Sequence, residues 1–385
     1  MTDFYSTVIV GGGPVGLALM SALHRIGCEA VLFEHHECAD SSRKDGRSIV
    51  LLPDNVDYLV SQGLLSLSDL LTIDRTEVFR AKSFTKLTLH ASDYGCDHLA
   101  YCINYTDLLS SMRKNAYSSK YASSMFSGMR YVEHTVCGDC VSISFETSDG
   151  SVYNCRASHL IMACSLPSGF RELSSIRHYA ILGSVSFSRG LPQCAYEVFC
   201  DSSVITLFPQ QGSRWSFIEM FTDPFGLDES FLSAPSFFDR LRLSVTDRLG
   251  YPRDLDYVAS MEIPIFFRPE IRPSERVLLM GSAAQVLHPV GARGINFSLS
   301  NVRSLANYMM QFVRCGSECV SLAFSSYEKS CFSKRRFLWR ATNSLSYYLV
   351  HRRVLSSDFG DCGLFVFNGS KFLKSLLRGV VYSCY

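Results

Sequence analysis

Thr7-Val8-Ile9-Val10-Gly11-Gly12-Gly13-Pro14-Val15-Gly16 is the stretch on which the fold turns. Four β-branched residues in a row read as a short buried strand, and they run directly into glycines at all three positions of a G-x-G-x-x-G turn. In that pattern Gly11 permits the tight turn, Gly13 lets a pyrophosphate approach the backbone, and Gly16 lets the following helix pack close to the strand; Pro14 and Val15 belong to the same loop. Leu17, Ala18, Met20, Ala22, Leu23 and Ile26 then form a helical apolar stripe, closed by Gly27. A second strand, Ala30-Val31-Leu32-Phe33, ends in Glu34, 23 residues after Gly11, where a carboxylate can accept hydrogen bonds from ribose hydroxyls. An acid there repels a 2′-phosphate, so FAD or NAD is favoured over NADP. The alternative is a βαβ unit whose glycines serve packing alone.

Around this segment the composition is that of a globular, soluble chain. Of 385 residues 47% are apolar and 19% charged, with 37 basic against 36 acidic side chains, a balance unlike that of disordered or nucleic-acid-binding proteins. The length suggests two lobes, or one large domain with an insertion. No run of about 18 apolar residues could span a bilayer, and the start lacks the basic region of a targeting peptide. The 15 cysteines are scattered, so reduced thiols are expected. The zinc-like spacing Cys137-Gly138-Asp139-Cys140 lacks a second ligand pair and reads as incidental.

Beyond the opening unit the pattern predicts a polar loop over 41–47, a helix from about Pro53 to Leu71, strands between Glu77 and Leu89, and a helix from Asn104 to Met112. Four strands follow, Tyr179 to Phe187, Ala195 to Phe199, Val204 to Phe208 and Trp215 to Met220, and then an amphipathic helix from Phe237 to Leu249. Arg276 to Met280 returns as a buried strand before Gly281-Ser282-Ala283-Ala284, His288-Pro289, and Gly291-Ala292-Arg293-Gly294-Ile295-Asn296 opening a helix. A glycine-containing loop entering a helix presents free N–H groups to anionic oxygen, a second cofactor contact.

These segments resemble the FAD-dependent aromatic hydroxylases of the para-hydroxybenzoate hydroxylase type, and most closely the ubiquinone-biosynthesis hydroxylase family. The family's Gly-Asp-Ala-Ala-His-x-x-His-Pro segment and its Gly-x-Gly-x-Asn helix start are matched by Gly281 to Pro289 and by Gly294-Ile295-Asn296. Asp45-Gly46-Arg47 is similar to its flavin-contacting arginine loop, Ala195-Tyr196-Glu197-Val198-Phe199 to its Ala-Tyr-Glu-Arg-Phe strand, and Leu207-Phe208-Pro209 with Arg214-Trp215-Ser216 to its next two strands. Gly363-Leu364 and Lys371-Phe372-Leu373-Lys374 resemble its closing segments.

The resemblance implies an α/β fold: a Rossmann-like FAD-binding domain over 1–75, 97–170 and 270–333, an inserted β-rich substrate domain over 76–96 and 171–269, and a C-terminal helical segment over 334–385. It implies an FAD monooxygenase that uses O2 and NAD(P)H or another donor, through a flavin C4a-hydroperoxide, to hydroxylate a polyprenyl-phenol in ubiquinone biosynthesis. Cofactor contacts would come from Gly11, Gly13, Pro14, Val15, Gly16, Glu34, Arg47, Gly281, Ser282, Ala283, Gly291, Ala292, Arg293, Gly294, Ile295 and Asn296. His288 and Pro289 would line the pocket on the flavin's flank, with a structural histidine as the other reading of His288. Phe208, Trp215, Phe217, Phe266 and Phe267 are candidates for a greasy substrate site, although most such residues are plain core.

The chain departs from the family at Ser282 in place of an Asp, at Cys164-Ser165 in place of Asp-Gly, at Gln285, at Arg293 and at Thr106. These departures motivate a second hypothesis, a catalytically weak member acting as a scaffold among other ubiquinone-biosynthesis proteins. A third is another FAD oxidoreductase on the same fold, though no halogenase-like Trp-x-Trp-x-Ile-Pro segment occurs. The charge balance averages two unlike parts: residues 334–385 carry +7 and the first 333 carry −6. A basic tail with interleaved aromatics suits peripheral contact with an anionic membrane surface or a partner, and equally a solvated helix face whose aromatics pack inward. The expected location is cytoplasmic, with the inner membrane as the surface such a tail would meet, and no nucleic-acid partner.

Overall fold

Val8, Ile9 and Val10 are buried on both faces because their strand, Asp3–Val10, lies inside a sheet. It pairs in parallel with Ala30–Phe33 on one side and with Val152–Met162 on the other. The computed structural model describes residues 3–37, 47–83, 85–164, 177–192, 194–200, 203–223, 233–312 and 318–351. In this first sheet Val152–Met162 changes partner along its length. Its first half pairs antiparallel with Cys140–Thr147, which also pairs with Met129–Cys137, and its last residues pair in parallel with Val277–Leu279. The helix α1 (Pro14–Arg25) crosses between the first two strands, burying Leu17, Leu19, Met20 and Leu23. Strand, helix and parallel strand thus form the βαβ unit read from the sequence. Cys137 to Cys140 form the turn of the hairpin, with Gly138 at φ 58°, and the Arg156 guanidinium donates to Cys140 Sγ at 2.9 Å.

The helix expected from Pro53 to Leu71 is shorter: α2 spans Pro53–Ser61. Gly63 at φ 70° ends it, since only a residue without Cβ adopts that conformation without strain. The residues Leu71–Ile73 form a strand instead, paired with Ala100–Asn104. Asn104 caps α3 (Tyr105–Tyr117), its side-chain oxygen accepting from the Thr106 N–H at 2.9 Å.

A second seven-stranded sheet runs in the order Pro252–Ile263, Arg177–Phe187, Arg214–Asp223, Ser203–Gln210, Ala195–Phe199, Arg75–Arg80, Lys86–His90. All its pairs are antiparallel except that of Ala195–Phe199 with Arg75–Arg80. Strand alternation gives it two faces. Tyr196, Val198, Ile205, Leu207 and Phe217 pack against Phe237, Leu241 and Val245 of α4 (Ala234–Leu249). The residues between them, Ala195, Glu197, Val204, Thr206, Phe208, Ile218 and Met220, turn the other way and line a cavity.

The helix α5 (Arg293–Phe312) packs on α1, and α6 (Glu318–His351) packs on α5. Arg335 was counted among the basic residues of a solvated or membrane-facing tail; it is 1% exposed instead. Its guanidinium donates to Gln285 Oε1 and to the carbonyls of Arg268 and Ala284, and lies 5.0 Å over the Phe267 ring. Among the described residues no helix is long and apolar enough to cross a membrane. The closing segments beyond His351, together with Asp45, Gly46 and Ser165, lie outside the described residues.

Candidate functional site: a cavity between the nucleotide loop and the second sheet

The glycines of the opening loop do three different things. Gly11 sits at φ 111°, and a Cβ there would meet the backbone of Ala163 and Cys164 at 2.9 Å. At Gly16 a Cβ would stand 1.8 Å from the Gly11 carbonyl oxygen, so helix and strand touch through their backbones. Gly13 is the opposite case. Its φ of −76° suits any residue, and nothing lies within 4 Å of where a Cβ would be. It caps α1 with no side-chain hydrogen bond, leaving the first N–H groups of the helix for an anionic ligand.

Glu34 lies against this loop, only 12% exposed at its side chain. One carboxylate oxygen accepts the Gly12 N–H; the other accepts the His36 N–H at 3.0 Å and faces Arg113 of α3 at 3.4 Å. A carboxylate has about four acceptor positions, so room remains for ribose hydroxyls. Arg113 was not read from the sequence, because only the packing of α3 brings it to Glu34. Cys164, where the family resemblance has Asp, is a neutral thiol: burial pushes it up to about 11, with the nearby Glu34 charge a lesser cause.

A cavity of about 430 Å³ opens beside this loop. One wall comes from Pro14, Val15, Ser282, Gly294 and Ile295, and the opposite wall is the open face of the second sheet. Arg47 and Tyr105 also line it, the guanidinium 5.0 Å over the ring. At the entry to α5, Gly291 and Ala292 both have left-handed backbone, at φ 71° and 51°. For Ala292 that costs energy, which the surrounding contacts must offset. This turn aims the Gly291 N–H at the Glu197 carboxylate. Glu197 is half-buried, and its remaining surface faces the cavity; burial pushes its pKa up to about 7, the Gly291 N–H working the other way. Sequence reading quoted Glu197 as part of a strand and missed it as a site residue. The usable signal was a lone acid in phase with Ala195 and out of phase with the apolar Tyr196 and Val198.

Of the site residues expected from the resemblance, Pro14, Val15, Arg47, Ser282, Pro289, Gly291, Ala292, Gly294 and Ile295 line the cavity. Asn296 does not. It is 1% exposed and ties α5 to the start of α2 and to the strand Ser48–Leu51: its Oδ1 accepts from the Leu52 N–H at 2.8 Å and from Asn55 Nδ2 at 2.9 Å. Its Nδ2 donates to the carbonyls of Val50 and Ala292, both at 2.8 Å. Asn296→Ala orphans buried partners and is expected to cost about 2–4 kcal/mol of stability. Chemical denaturation checks this, and a loss under about 1 kcal/mol would contradict it. Arg293 is buried and stands outside the cavity wall, as do Gly281 and Ala283. At φ 57° Gly281 faces Val15, whose side chain would stand 3.3 Å from a Cβ added there. His288 is 1% exposed and also outside the wall. Its ring meets that of His178 edge-on at 5.4 Å, and burial, with the His178 charge a lesser cause, lowers it to about 3, so the ring is neutral at pH 7.

The five aromatic candidates divide by strand phase. Phe208 lines the cavity. Trp215 and Phe217 point to the core instead, Phe217 stacked on Phe237 at 4.1 Å. Phe266 is buried, and Phe267 packs against Trp339 of α6 at 5.6 Å.

No family model matches the chain. Over 187 residues it is 27% identical to ubiquinone hydroxylase UbiL of Rhodospirillum rubrum, covering 46% of this chain and 42% of that protein. Over 170 residues it is 21% identical to ubiquinone biosynthesis monooxygenase COQ6 of Dictyostelium discoideum, covering 44% and 32%. With p-hydroxybenzoate hydroxylase of Acinetobacter baylyi the identity is 30% over 88 residues, covering 22% and 20%. The matches therefore span less than half the length of these relatives.

In structure the chain matches Klebsiella pneumoniae HpxO complexed with FAD over 98% of both chains, at a TM-score of 0.74 and 16% identity. It matches p-nitrophenol 4-monooxygenase PnpA of Pseudomonas putida over 98% of this chain and 97% of that one, at 0.75 and 15%. The Diels-Alderase PyrE3 matches at 0.70 and 18%, over 99% of this chain and 80% of that one. The chain has the Rossmann-like, two-sheet fold of FAD-dependent aromatic hydroxylases, a fold that carries other chemistry as well.

Proposed function

We propose, from this fold and the sequence relationship to ubiquinone hydroxylases, that the chain is an FAD-dependent monooxygenase acting on an aromatic ring. The observation that carries the reading is the shared cavity: the nucleotide loop and the open face of the second sheet wall one apolar space of about 430 Å³. That size is within the usual range of small-ligand sites.

The residues present fit FAD. Gly13 leaves open space at the uncapped start of α1, where a pyrophosphate would accept backbone N–H groups. Glu34 would accept from ribose hydroxyls. Pro14, Val15, Ser282, Gly294 and Ile295 would flank the flavin ring, with Arg47 and Tyr105 lining the same space. When bound, FAD supplies the redox chemistry with O2 that a protein side chain lacks. The chain's own part is to hold the ring and exclude water. Val204, Phe208, Ile218 and Met220 present an apolar roof to the substrate ring.

The finer reading is a polyprenyl-phenol of ubiquinone biosynthesis as substrate, with NAD(P)H as reductant. The UbiL and COQ6 relationships support the substrate, and the apolar roof suits a greasy phenol. Ser282, which has no charge at a cavity-wall position where the hydroxylases carry an acid, favours a second reading, a weakly active member with a scaffold role.

Reconstitution separates them. Protein incubated with saturating FAD and desalted is expected to keep flavin absorbance near one equivalent; protein that emerges colourless ends the monooxygenase reading. Quinone profiling of a deletion strain is expected to show an intermediate lacking one ring hydroxyl. Normal quinone with no accumulated intermediate would exclude the pathway.

A further inference from the structure

The cavity wall is apolar but for a few groups, and one of them has no part in the flavin contacts. Among the described lining residues the charged or titratable side chains are Arg47, Tyr105 and Glu197. Arg47 and Tyr105 face each other beside the nucleotide loop, whereas Glu197 stands on the substrate-facing sheet. Its register partner across the antiparallel pair is Thr206, also in the wall, and Thr76 lies on the same face of the neighbouring strand. On that neighbouring strand the charged residues Arg75 and Glu77 project to the other side, where Glu77 meets Lys86 at 3.0 Å; Arg80 shares the phase of Thr76 but does not line the cavity. The loop entering α5 contributes an N–H, that of Gly291, to the carboxylate. The second sheet therefore offers one acceptor-rich spot, made of Glu197 and two threonines, in a surface otherwise built to meet hydrocarbon.

We propose that Glu197, with Thr206 beside it, is the recognition point for a hydroxyl group on the substrate ring, so that the site takes an uncharged phenol and rejects an aromatic carboxylate. The proposal rests on the reading of the cavity as a ring-binding site and deepens it. Two physical arguments carry it. A hydrogen bond from a hydroxyl to a carboxylate is charge-assisted, and it is stronger in an apolar enclosure than in water. A second carboxylate in the same enclosure would face like-charge repulsion with little solvent to screen it. With burial holding Glu197 to about 7, its charge develops as pH rises through neutrality. A simple phenol, which ionises near about 10, stays neutral over that interval. Phenol affinity should therefore climb through neutral pH, while carboxylate affinity falls.

The test is calorimetric binding of 4-heptylphenol, 4-heptylbenzoate and heptylbenzene to the purified full chain, with flavin content read separately by absorbance. At about pH 8 the phenol is expected to bind about tenfold more tightly than heptylbenzene, and the benzoate more weakly than either. Glu197→Gln keeps the shape and removes the charge. It should lower phenol affinity about tenfold, leave heptylbenzene unchanged and relieve the exclusion of the benzoate. Equal loss for phenol and heptylbenzene, or tight benzoate binding by the wild type, overturns the proposal. Should the variant fail to fold, the wild-type pH series decides: a rise in phenol affinity between about pH 6 and about pH 8, absent for heptylbenzene, supports it, and a flat series overturns it. Absence of flavin in the wild type would instead count against the monooxygenase reading, so the two failures are told apart.

Discussion

Gly13→Val is expected to give a folded protein that has lost its flavin, whereas Gly16→Ala is expected not to fold. The two glycines are three residues apart in one motif, yet the space around them differs completely. A methyl on Gly16 would stand 1.8 Å from the Gly11 carbonyl oxygen, and both atoms belong to backbone that cannot swing aside. Relief requires separating α1 from the strand Asp3–Val10, around which Val8, Ile9, Leu17 and Leu19 are buried. The cost is about 4 kcal/mol or more, comparable to the whole margin of a marginal domain. Gly13, by contrast, has ordinary extended backbone and open space. Valine fits there in the protein by itself, but fills the approach a pyrophosphate needs, so FAD affinity should fall about 100-fold or more. Circular dichroism and thermal melts read the folding, and flavin absorbance after desalting reads retention. A folded, flavin-free Gly16→Ala, or a Gly13→Val that retains flavin, would reverse the assignment of roles.

Arg335→Ala is expected to produce the second large loss, about 3–5 kcal/mol of stability, together with weaker flavin retention. The guanidinium is buried, and among the described residues no carboxylate is in contact with it. Three acceptors and an aromatic face hold it: Gln285 Oε1, the Arg268 and Ala284 carbonyls, and the Phe267 ring. Burial lowers its pKa, but a guanidinium starts so high that it stays charged. Truncation leaves the three acceptors dry and empties the space between α6 and the segment that carries Ser282 and Gln285 to the cavity wall. Arg335→Lys should recover only part of the loss, because one ammonium cannot reach acceptors arranged for a planar fork. Urea denaturation of both variants checks this. A lysine variant as stable as wild type would show that charge alone matters there.

The sites these predictions address were legible in the sequence to different degrees. The order strand, glycine triad, helix, strand, acid could be read directly, and Glu34 does lie against the loop. That unit is local: each residue's role depends on neighbours within about one helix turn or one strand. Reading became unreliable where a motif match stood in for packing. Asn296 and Arg293 occupy the expected positions at the start of α5, yet Asn296 spends its hydrogen bonds on Leu52, Asn55, Val50 and Ala292. His288 turns to His178 rather than into the cavity wall. Trp215 and Phe217 were attractive substrate contacts as aromatic residues, but their strand phase points them at α4.

What the sequence determined by itself is therefore the nucleotide loop and the alternation of the second sheet, because both follow from short-range geometry: the absence of a Cβ at a turn and the two-residue repeat of a strand. What only the tertiary structure decided is which face of that sheet meets the nucleotide loop. That choice brings Glu197 and Phe208 into one cavity with Pro14 and Ser282, sends Phe217 to the core, and pairs Arg113 with Glu34. Contacts between residues tens to hundreds of positions apart are set by how the two sheets and α5 close on one another, and no spacing along the chain records that closure.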